Sequence, residues 1–533
     1  MKYKNFRLPI LIIILATGIL LGTQIQRVFS GDSLVENLQK FNDVLTFTQK
    51  FYIDEVDTQK MVEAAINGML EDLDPHSVYI PARQMETVQE EFRGDFEGIG
   101  IEFQVLNDTL TVVTPITGGP SEELGIQAGD RIVKIDGEDI IGIKNDDVRK
   151  KLRGAKGTKV VVSVHRIGVK EILDYEIIRD KIPLYSVDTR VMLDDKTGYI
   201  SISRFAEKTT DEFLSALKDL SGKGMKQLIL DLRNNPGGYL NQAVNIADLF
   251  IAGNKKLVYT KGRRPEFNEE FSARNPSPYE KMPIIVLINK GSASASEIVS
   301  GAIQDWDRGL IIGETSFGKG LVQRQFSLSD GSALRLTISS YFTPSGRLIQ
   351  RKYDDKKKYY EDIAEFQEEE GENFDHEADK DSSRPVFKTG KGRTVYGGGG
   401  ITPDFIVKND RLTGYSSNLI RKNIFYQFAL QYIDGNGAKI KSVYKDNLAQ
   451  FLKEFQVDDQ MLAEFTSFAA TKEVKMVDEE YQKDKEFVAA RLKAQIARNY
   501  WKNEGWYSVL LGQDKPVMKA MTLFGKAKEI AGL

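Results

Sequence analysis

The chain has 533 residues, too many for a single hydrophobic core, so several domains are expected. Its 73 basic and 77 acidic side chains leave a formal net charge of −4, which provides no positive field to hold a nucleic acid. There is no cysteine and there are only three histidines, His76, His165 and His376, so disulfides and thiolate chemistry are excluded and imidazole chemistry has few residues to draw on.

Lys2, Lys4 and Arg7 precede an uncharged, largely apolar run from Leu8 to Ile25. The pattern marks export, and residues 1–30 are read as a cleaved signal peptide or a retained N-terminal membrane anchor. With the positive end held inside, the rest of the chain faces the periplasm or the outer side of the cytoplasmic membrane, and this segment makes the membrane contact. From Val35 to Phe92 apolar residues recur at helical spacing, as in LVENLQKFNDVLTFTQKFY and TQKMVEAAINGMLEDL. They predict a helical N-terminal region over residues 31–93, interrupted at Asp74 and Pro75. His76 follows as a lone imidazole and reads as structural or exposed.

Between Gly94 and Lys181 the texture changes to short strands and Gly-rich turns: GIGIEFQ, TLTVVTPI, DRIVKIDG, TKVVVSVHR and LDYEIIRD, with one helix near Asp146 to Leu152. The loop Gly98-Ile99-Gly100-Ile101 ahead of a strand, then GPSEELGIQAGD, then DRIVKIDGEDI, resembles a PDZ domain, placed over residues 94–182. That resemblance implies that the Gly98, Ile99, Gly100 and Ile101 loop turns backbone N–H groups toward the carboxylate of a peptide's C-terminus. The strand after the loop would then pair with the peptide. Arg153, in LRGAKG at the end of the predicted helix, reads as an exposed side chain within reach of the neighbouring domain.

Beyond Pro183 strands and helices alternate: GYISISRF, DEFLSALKDL, KQLILDLR, LNQAVNIADLFI, PIIVLINK, SASEIVSGAIQDW and GLIIG. Such alternation predicts an α/β domain, assigned to residues 183–410. A charged stretch at about 352–392, with KKK and EEE runs, reads as a surface insertion or disordered loop, and a catalytic role for His376 inside it is not expected. Residues 411–533 are again helical, and packing is their expected role.

Chemistry concentrates in PIIVLINKGSASASEIVSGAIQD, a buried strand, a tight turn and a helix beginning near Ser294. A hydroxyl at a helix N-terminus lies beside the positive end of the dipole and beside unpaired N–H groups that stabilise an oxyanion. Ser292, Ser294 and Ser296 compete for the role, and helix capping is the plain alternative for each. Downstream, Lys319 stands between two glycines in GETSFGKGLVQ. A solvated lysine is protonated at neutral pH, but burial lowers a lysine pKa by up to about 3 to 5 units and makes the amine a base. With histidine scarce and cysteine absent, Ser–Lys is the remaining self-sufficient pair for acyl transfer.

The segments DLRNNPGG, NKGSASASEIVSGAIQD, GETSFGKGLVQ, YFTPSGRLIQ and GGGGITPD, in that order, resemble those of the carboxyl-terminal processing peptidases, or tail-specific proteases of family S41. The resemblance covers about Val35 to Asp404. It implies a multidomain α+β protein with a PDZ domain and an α/β peptidase domain of the crotonase/Clp type, flanked by helical N- and C-terminal regions. It also implies an exported serine endopeptidase with Ser294 as nucleophile, Lys319, 25 residues later, as base, and Gln323 orienting that base. The N–H groups of Ala295 and of Gly237, rather than Gly238, would form the oxyanion hole. No metal and no organic cofactor are implied. Expected partners are proteins or peptides with free C-termini, an adaptor protein being compatible with this organisation, and no nucleic acid. Two readings compete: a catalytically silent PDZ scaffold, and a crotonase-like domain acting on coenzyme A esters. The first predicts loss of Ser294 or Lys319, and the PDZ block with the export signal disfavours the second.

Overall fold

A computed structural model describes residues 34–533 apart from 107, 354–355, 366–367, 375, 377–383 and 445–446. Residues 1–30, read from the sequence as a signal peptide or membrane anchor, therefore lie outside the described residues. The chain divides into two compact units, residues 1–79 and 80–533. In the first, helices α1 (Leu34–Phe51) and α2 (Thr58–Glu71) occupy the region of helical periodicity. Asp57 caps α2, its carboxylate accepting the Lys60 N–H at 3.1 Å, which satisfies one of the donors a helix start leaves unpaired. The turn after α2 is closed by Asp74, which accepts the N–H groups of His76 and Ser77, both at 2.9 Å.

The second unit opens with helix α3 (Ala82–Arg93). Strand β1 (Asp95–Gly98) then pairs antiparallel with β7 (Asp180–Pro183). Between them lies an antiparallel sheet of β2 (Ile101–Leu106), β3 (Thr109–Pro115), β4 (Arg131–Ile135), β5 (Lys159–His165) and β6 (Leu173–Ile178), in that order. Helix α4 (Asn145–Leu152) closes it. Leu110, Val112, Ile132, Val148, Val160, Val162 and Val164 are fully buried at its centre. β2 is an edge strand, so one side of its backbone is open to a further strand.

The larger sheet begins with β8 (Val187–Met192), antiparallel to β9 (Thr197–Ile202). β10 (Gln227–Asp231), β11 (Ile284–Ile288) and β12 (Leu310–Gly313) continue it in parallel, each entirely buried. Helices α5 (Thr209–Gly222), α6 (Leu240–Asp248) and α7 (Ala295–Asp305) make the crossovers and pack on one face, against Ile200, Leu228, Leu230, Ile284, Val286 and Ile311. Strands covered on both faces read as continuous apolar runs, which is why KQLILDLR and PIIVLINK do not alternate. The opposite face, with Tyr199, Ile229, Ile285, Leu287 and Ile312, is covered by Val517, Ala520, Phe524, Ala527 and Ile530 from the end of the chain. The final residues of the C-terminal extension are thus the second layer of the peptidase sheet. A hairpin, β13 (Leu321–Ser327) with β14 (Ala333–Phe342), follows Lys319 directly and belongs to a second sheet, in which β14 also pairs antiparallel with Lys256–Gly262.

The charged stretch, expected as a surface or disordered loop, is folded onto the domain over its described residues. Helix α8 (Lys356–Glu365) places Tyr359 edge-on to Phe317 at 5.8 Å, and Gly371 and Glu372 pair with Phe405 and Ile406 at the edge of the large sheet. His376 is completely buried, its Nε2 3.4 Å from Asp404 Oδ1. Asp404 also accepts Arg393 Nη1 and the Ile311 N–H, both at 2.7 Å. Burial alone would raise the Asp404 pKa, but the Arg393 guanidinium and His376 overcome it and hold the carboxyl down at about 2. A folded-state pKa below the unfolded value stabilises the fold above pH ~4, and that stability is lost as pH falls toward 2. Asp404→Asn is expected to lose at least about 2 kcal/mol at pH 7, and the gap to wild type should narrow between pH ~4 and ~2. Thermal melts across that range check it; a gap independent of pH would contradict it.

Candidate active site

Strand β11 delivers the chain into the turn Asn289–Ala293, and Ser294 is the residue from which α7 starts. Its backbone is strained, with φ +54° and ψ −110°, a region where a non-glycine residue persists only when its neighbours enforce it. Those neighbours are identifiable. The Ser294 N–H donates to Glu297 Oε2 at 2.8 Å, and the Ser294 carbonyl accepts Tyr341 Oη at 3.1 Å.

The three competing serines separate at this level. Ser292 and Ser296 have no exposed surface, and their hydroxyls donate to the carbonyls of Leu232 (2.8 Å) and Asn235 (2.9 Å). Only Ser294 lines the adjacent cleft, a space of about 1140 Å³ that Gly237, Gly238, Lys319, Gln323 and Tyr341 also line. Such a volume accommodates an extended peptide segment. Of the two histidines of this unit, His165 ends β5 and His376 is buried against Asp404; neither lines the cleft.

Gly237 could not be another residue. Its φ is +99°, and a Cβ there would lie 2.8 Å from Ser294 Cβ and 2.9 Å from the Ala295 nitrogen. The same closeness brings its turn beside the start of α7. The Gly237 N–H, however, donates to Asn235 Oδ1 at 2.9 Å. The N–H groups of Gly238 and Ala295 have no acceptor among the described residues, so the geometry favours Gly238 over Gly237 as the second donor.

Lys319 is half-buried, and its Nζ donates to Gln323 Oε1 at 2.8 Å. The residue that organises the site is Glu297, which the sequence reading did not single out. It is wholly buried and accepts the N–H groups of Ser294, Gly318 (2.7 Å) and Lys319 (2.9 Å) and the Ser316 hydroxyl (2.5 Å). Burial pushes its pKa up, opposed by these same hydrogen bonds from Ser316, Lys319, Gly318 and Ser294. One carboxylate therefore fixes the backbone of both Ser294 and Lys319. Its sequence signal is the S-x-x-E spacing of a capping box, Ser294 to Glu297. Among the described residues no group of three or more His, Asp or Glu side chains is arranged to hold a metal ion.

A second groove, of about 550 Å³, runs along β2 and α4 and begins at the Gly98–Ile101 loop. Gly100 has φ +76° and lies against Ile182 and Gly119, where a Cβ would come within 3.0 Å of Ile182 Cδ1. The carbonyls of Ile99 and Gly100 are taken by Ser121 Oγ (2.6 Å) and the Ile116 N–H (2.9 Å). The N–H groups of Ile99 and Gly100 have no acceptor among the described residues, and such a pair suits an anion. Arg153, read as exposed, keeps an accessible guanidinium, yet it bonds Glu90 on α3 at 2.6 Å and lies 4.7 Å over the Phe96 ring. Other residues of α3, Phe92 among them, line the large cleft.

Fold and site together define a serine-type peptidase carrying a PDZ domain, and family models agree. Residues 196–356 match peptidase family S41 and residues 111–166 a PDZ domain. Residues 22–84 match the N-terminal domain of the activating protease CtpB, and residues 415–502 a family of unknown function. The carboxy-terminal-processing protease of Bartonella bacilliformis is 43% identical over 320 residues, which cover 59% of this chain and 73% of that protein. The carboxy-terminal processing protease CtpA of Bacillus subtilis is 36% identical over 324 residues, 61% of this chain and 68% of that one. A solved photosystem II D1 C-terminal processing protease is 32% identical, with TM-score 0.33, over 57% of this chain and 82% of its own. The chain belongs to the carboxy-terminal processing proteases of peptidase family S41.

Proposed function

We propose that this protease cleaves the C-terminal segments of exported or envelope proteins, with Ser294 as nucleophile and Lys319 as base. The observation that carries the reading is that both residues line one cleft while Glu297 anchors the backbone of each. Ser294 Oγ attacks the scissile carbonyl as the neutral Lys319 amine takes its proton. Negative charge then develops on the carbonyl oxygen beside the start of α7, where the N–H groups of Ala295 and Gly238 supply donors. The Lys319 ammonium returns its proton to the departing amine, leaving an ester on Ser294, and water activated by the same amine hydrolyses it. Gln323 holds Nζ by its amide oxygen throughout.

The Lys2, Lys4, Arg7 flank and the apolar run to Ile25 support action outside the cytoplasm, with the N-terminal segment in contact with the membrane. Among the described residues no helix is long and apolar enough to cross a membrane. Substrate tails would be held by the Gly98–Ile101 loop, adding a strand to the edge of β2 while the chain upstream enters the cleft.

The test offers the full-length protein a flexible peptide as its free acid and as its C-terminal amide. A carboxylate gains charge-assisted hydrogen bonds worth about 1.5 to 3 kcal/mol, so the acid should bind about 10- to 100-fold more tightly. Mass spectrometry should show internal cleavage of the acid. Equal binding of acid and amide would sink the tail-binding part, and absence of fragments from both would sink the reaction.

A further inference from the structure

The groove that takes the tail has a wall the PDZ fold does not supply. Helices α9 (Gly414–Arg421) and α10 (Ile424–Tyr444) meet at Lys422 and Asn423, and Arg421, Lys422, Asn423 and Gln427 line the groove with β2 and α4. This corner is clamped in place. The Asn423 amide bonds Gln104 Oε1 on β2, while Asp434 pairs with Arg131 at 3.0 Å. Tyr426 and Leu430 pack on Val113 and Leu106. Arg498, further along the same C-terminal region, pairs with Glu102 at 2.9 Å.

Charge in the groove is one-sided. Its ionisable lining is Glu102, Arg149, Arg153, Arg421 and Lys422. Glu102 is neutralised by Arg498, Arg153 by Glu90, and Lys422 by Glu473 at 3.4 Å. Arg149, on α4, and Arg421, whose guanidinium bonds only the Asn418 amide oxygen at 2.6 Å, have no carboxylate partner among the described residues. Two cations without a carboxylate partner thus line one space, one from α4 and one from the end of α9.

Position follows from strand geometry. A tail with its carboxylate at Ile99 and Gly100 runs antiparallel to β2 toward Leu106, at about 3.3 Å per residue. Ile101, Phe103 and Val105 pack on the PDZ core, so Glu102 and Gln104 point to the other face, the one the C-terminal helices cover. Cross-strand neighbours share a face, so the tail residue opposite Gln104 turns its side chain toward the wall that holds Arg421. That residue lies about three before the terminus.

We propose that the C-terminal helical region is part of the substrate-reading surface. Arg421, with Arg149, selects tails carrying aspartate or glutamate about three to five residues before the C-terminus. The inference rests on the groove binding tails as proposed above.

The experiment measures binding of fluorescent peptides to the full-length Ser294→Ala protein, which cannot consume them. The peptides carry either two glutamates or two lysines at the third and fourth positions before the end, each as free acid and as amide. The glutamate tail should bind about fivefold more tightly than the lysine tail at low salt, and less so at high salt. Arg421→Glu, an exposed change, should abolish or reverse that preference and leave the acid-to-amide ratio unchanged. A preference that is absent, or that Arg421→Glu does not alter, overturns the inference. Loss of the acid-to-amide difference in every protein overturns instead the tail-binding reading beneath it.

Discussion

Ser294→Ala and Lys319→Ala should each reduce turnover by at least about 10³-fold while leaving the thermal transition in place, because members of one catalytic unit are not redundant. Neither side chain is fully buried, so neither change opens a core cavity. Lys319→Arg should be as inactive as the alanine variant, since a guanidinium stays protonated at any working pH and cannot accept the serine proton. Ser292→Ala is the control that separates nucleophile from scaffold. Its hydroxyl bonds the Leu232 carbonyl and the Asn289 N–H, so its loss should cost stability of about 1 to 3 kcal/mol but retain cleavage. Peptide cleavage assays beside thermal melts distinguish the two outcomes. Full activity in Ser294→Ala, or loss of activity in Ser292→Ala without loss of stability, would remove Ser294 from the mechanism.

Glu297→Ala should be nearly as severe by a different route. It strands three backbone N–H groups and the Ser316 hydroxyl around a wholly buried position, each costing about 1 to 3 kcal/mol where relaxation does not help. Stability should fall by several kcal/mol, and turnover with it. Glu297→Gln separates the two effects, because it keeps the volume but turns one acceptor into a donor facing donors. The glutamine variant should fold and bind tail peptides normally while kcat falls about 100-fold, as expected when reacting groups are misplaced by a fraction of an ångström. A glutamine variant with normal kcat would show that Glu297 merely fills space.

Much of this arrangement is legible in the residues themselves. The strand, turn and helix around Ser294, the alternation of the α/β domain and the Gly98–Ile101 loop each follow from local pattern, and the structure forms each of them. Choosing among Ser292, Ser294 and Ser296 is not legible, since all three are small hydroxyls on one turn. The carbonyls that bury two of them come from a loop about 60 residues earlier. Glu297 carries a local capping signal, but the donors that make it the link between nucleophile and base arrive from Ser316, Gly318 and Lys319. The TPSGR and ITPD segments likewise read as motifs without revealing their work. Arg347 is buried on Asp305 at 2.6 Å, and Asp404 ties the end of the domain to β12. Amphipathic helices at the end of the chain predict packing but not its target. Phe524 and Ile530 cover the peptidase sheet, whereas Tyr426 and Asn423 meet the PDZ domain.

Breaking a peptide bond by transfer of an acyl group to Ser294, with Lys319 as base, passes through a covalent ester that can be trapped. The most direct measurement mixes the full-length protein with excess free-acid peptide, quenches in acid within a turnover, digests the protein and locates any added mass. An acyl ester is expected on the fragment containing Ser294, absent from Ser294→Ala and formed far more slowly in Lys319→Ala. Rapid cleavage with no ester on Ser294, or an ester on another residue that persists in Ser294→Ala, would contradict it.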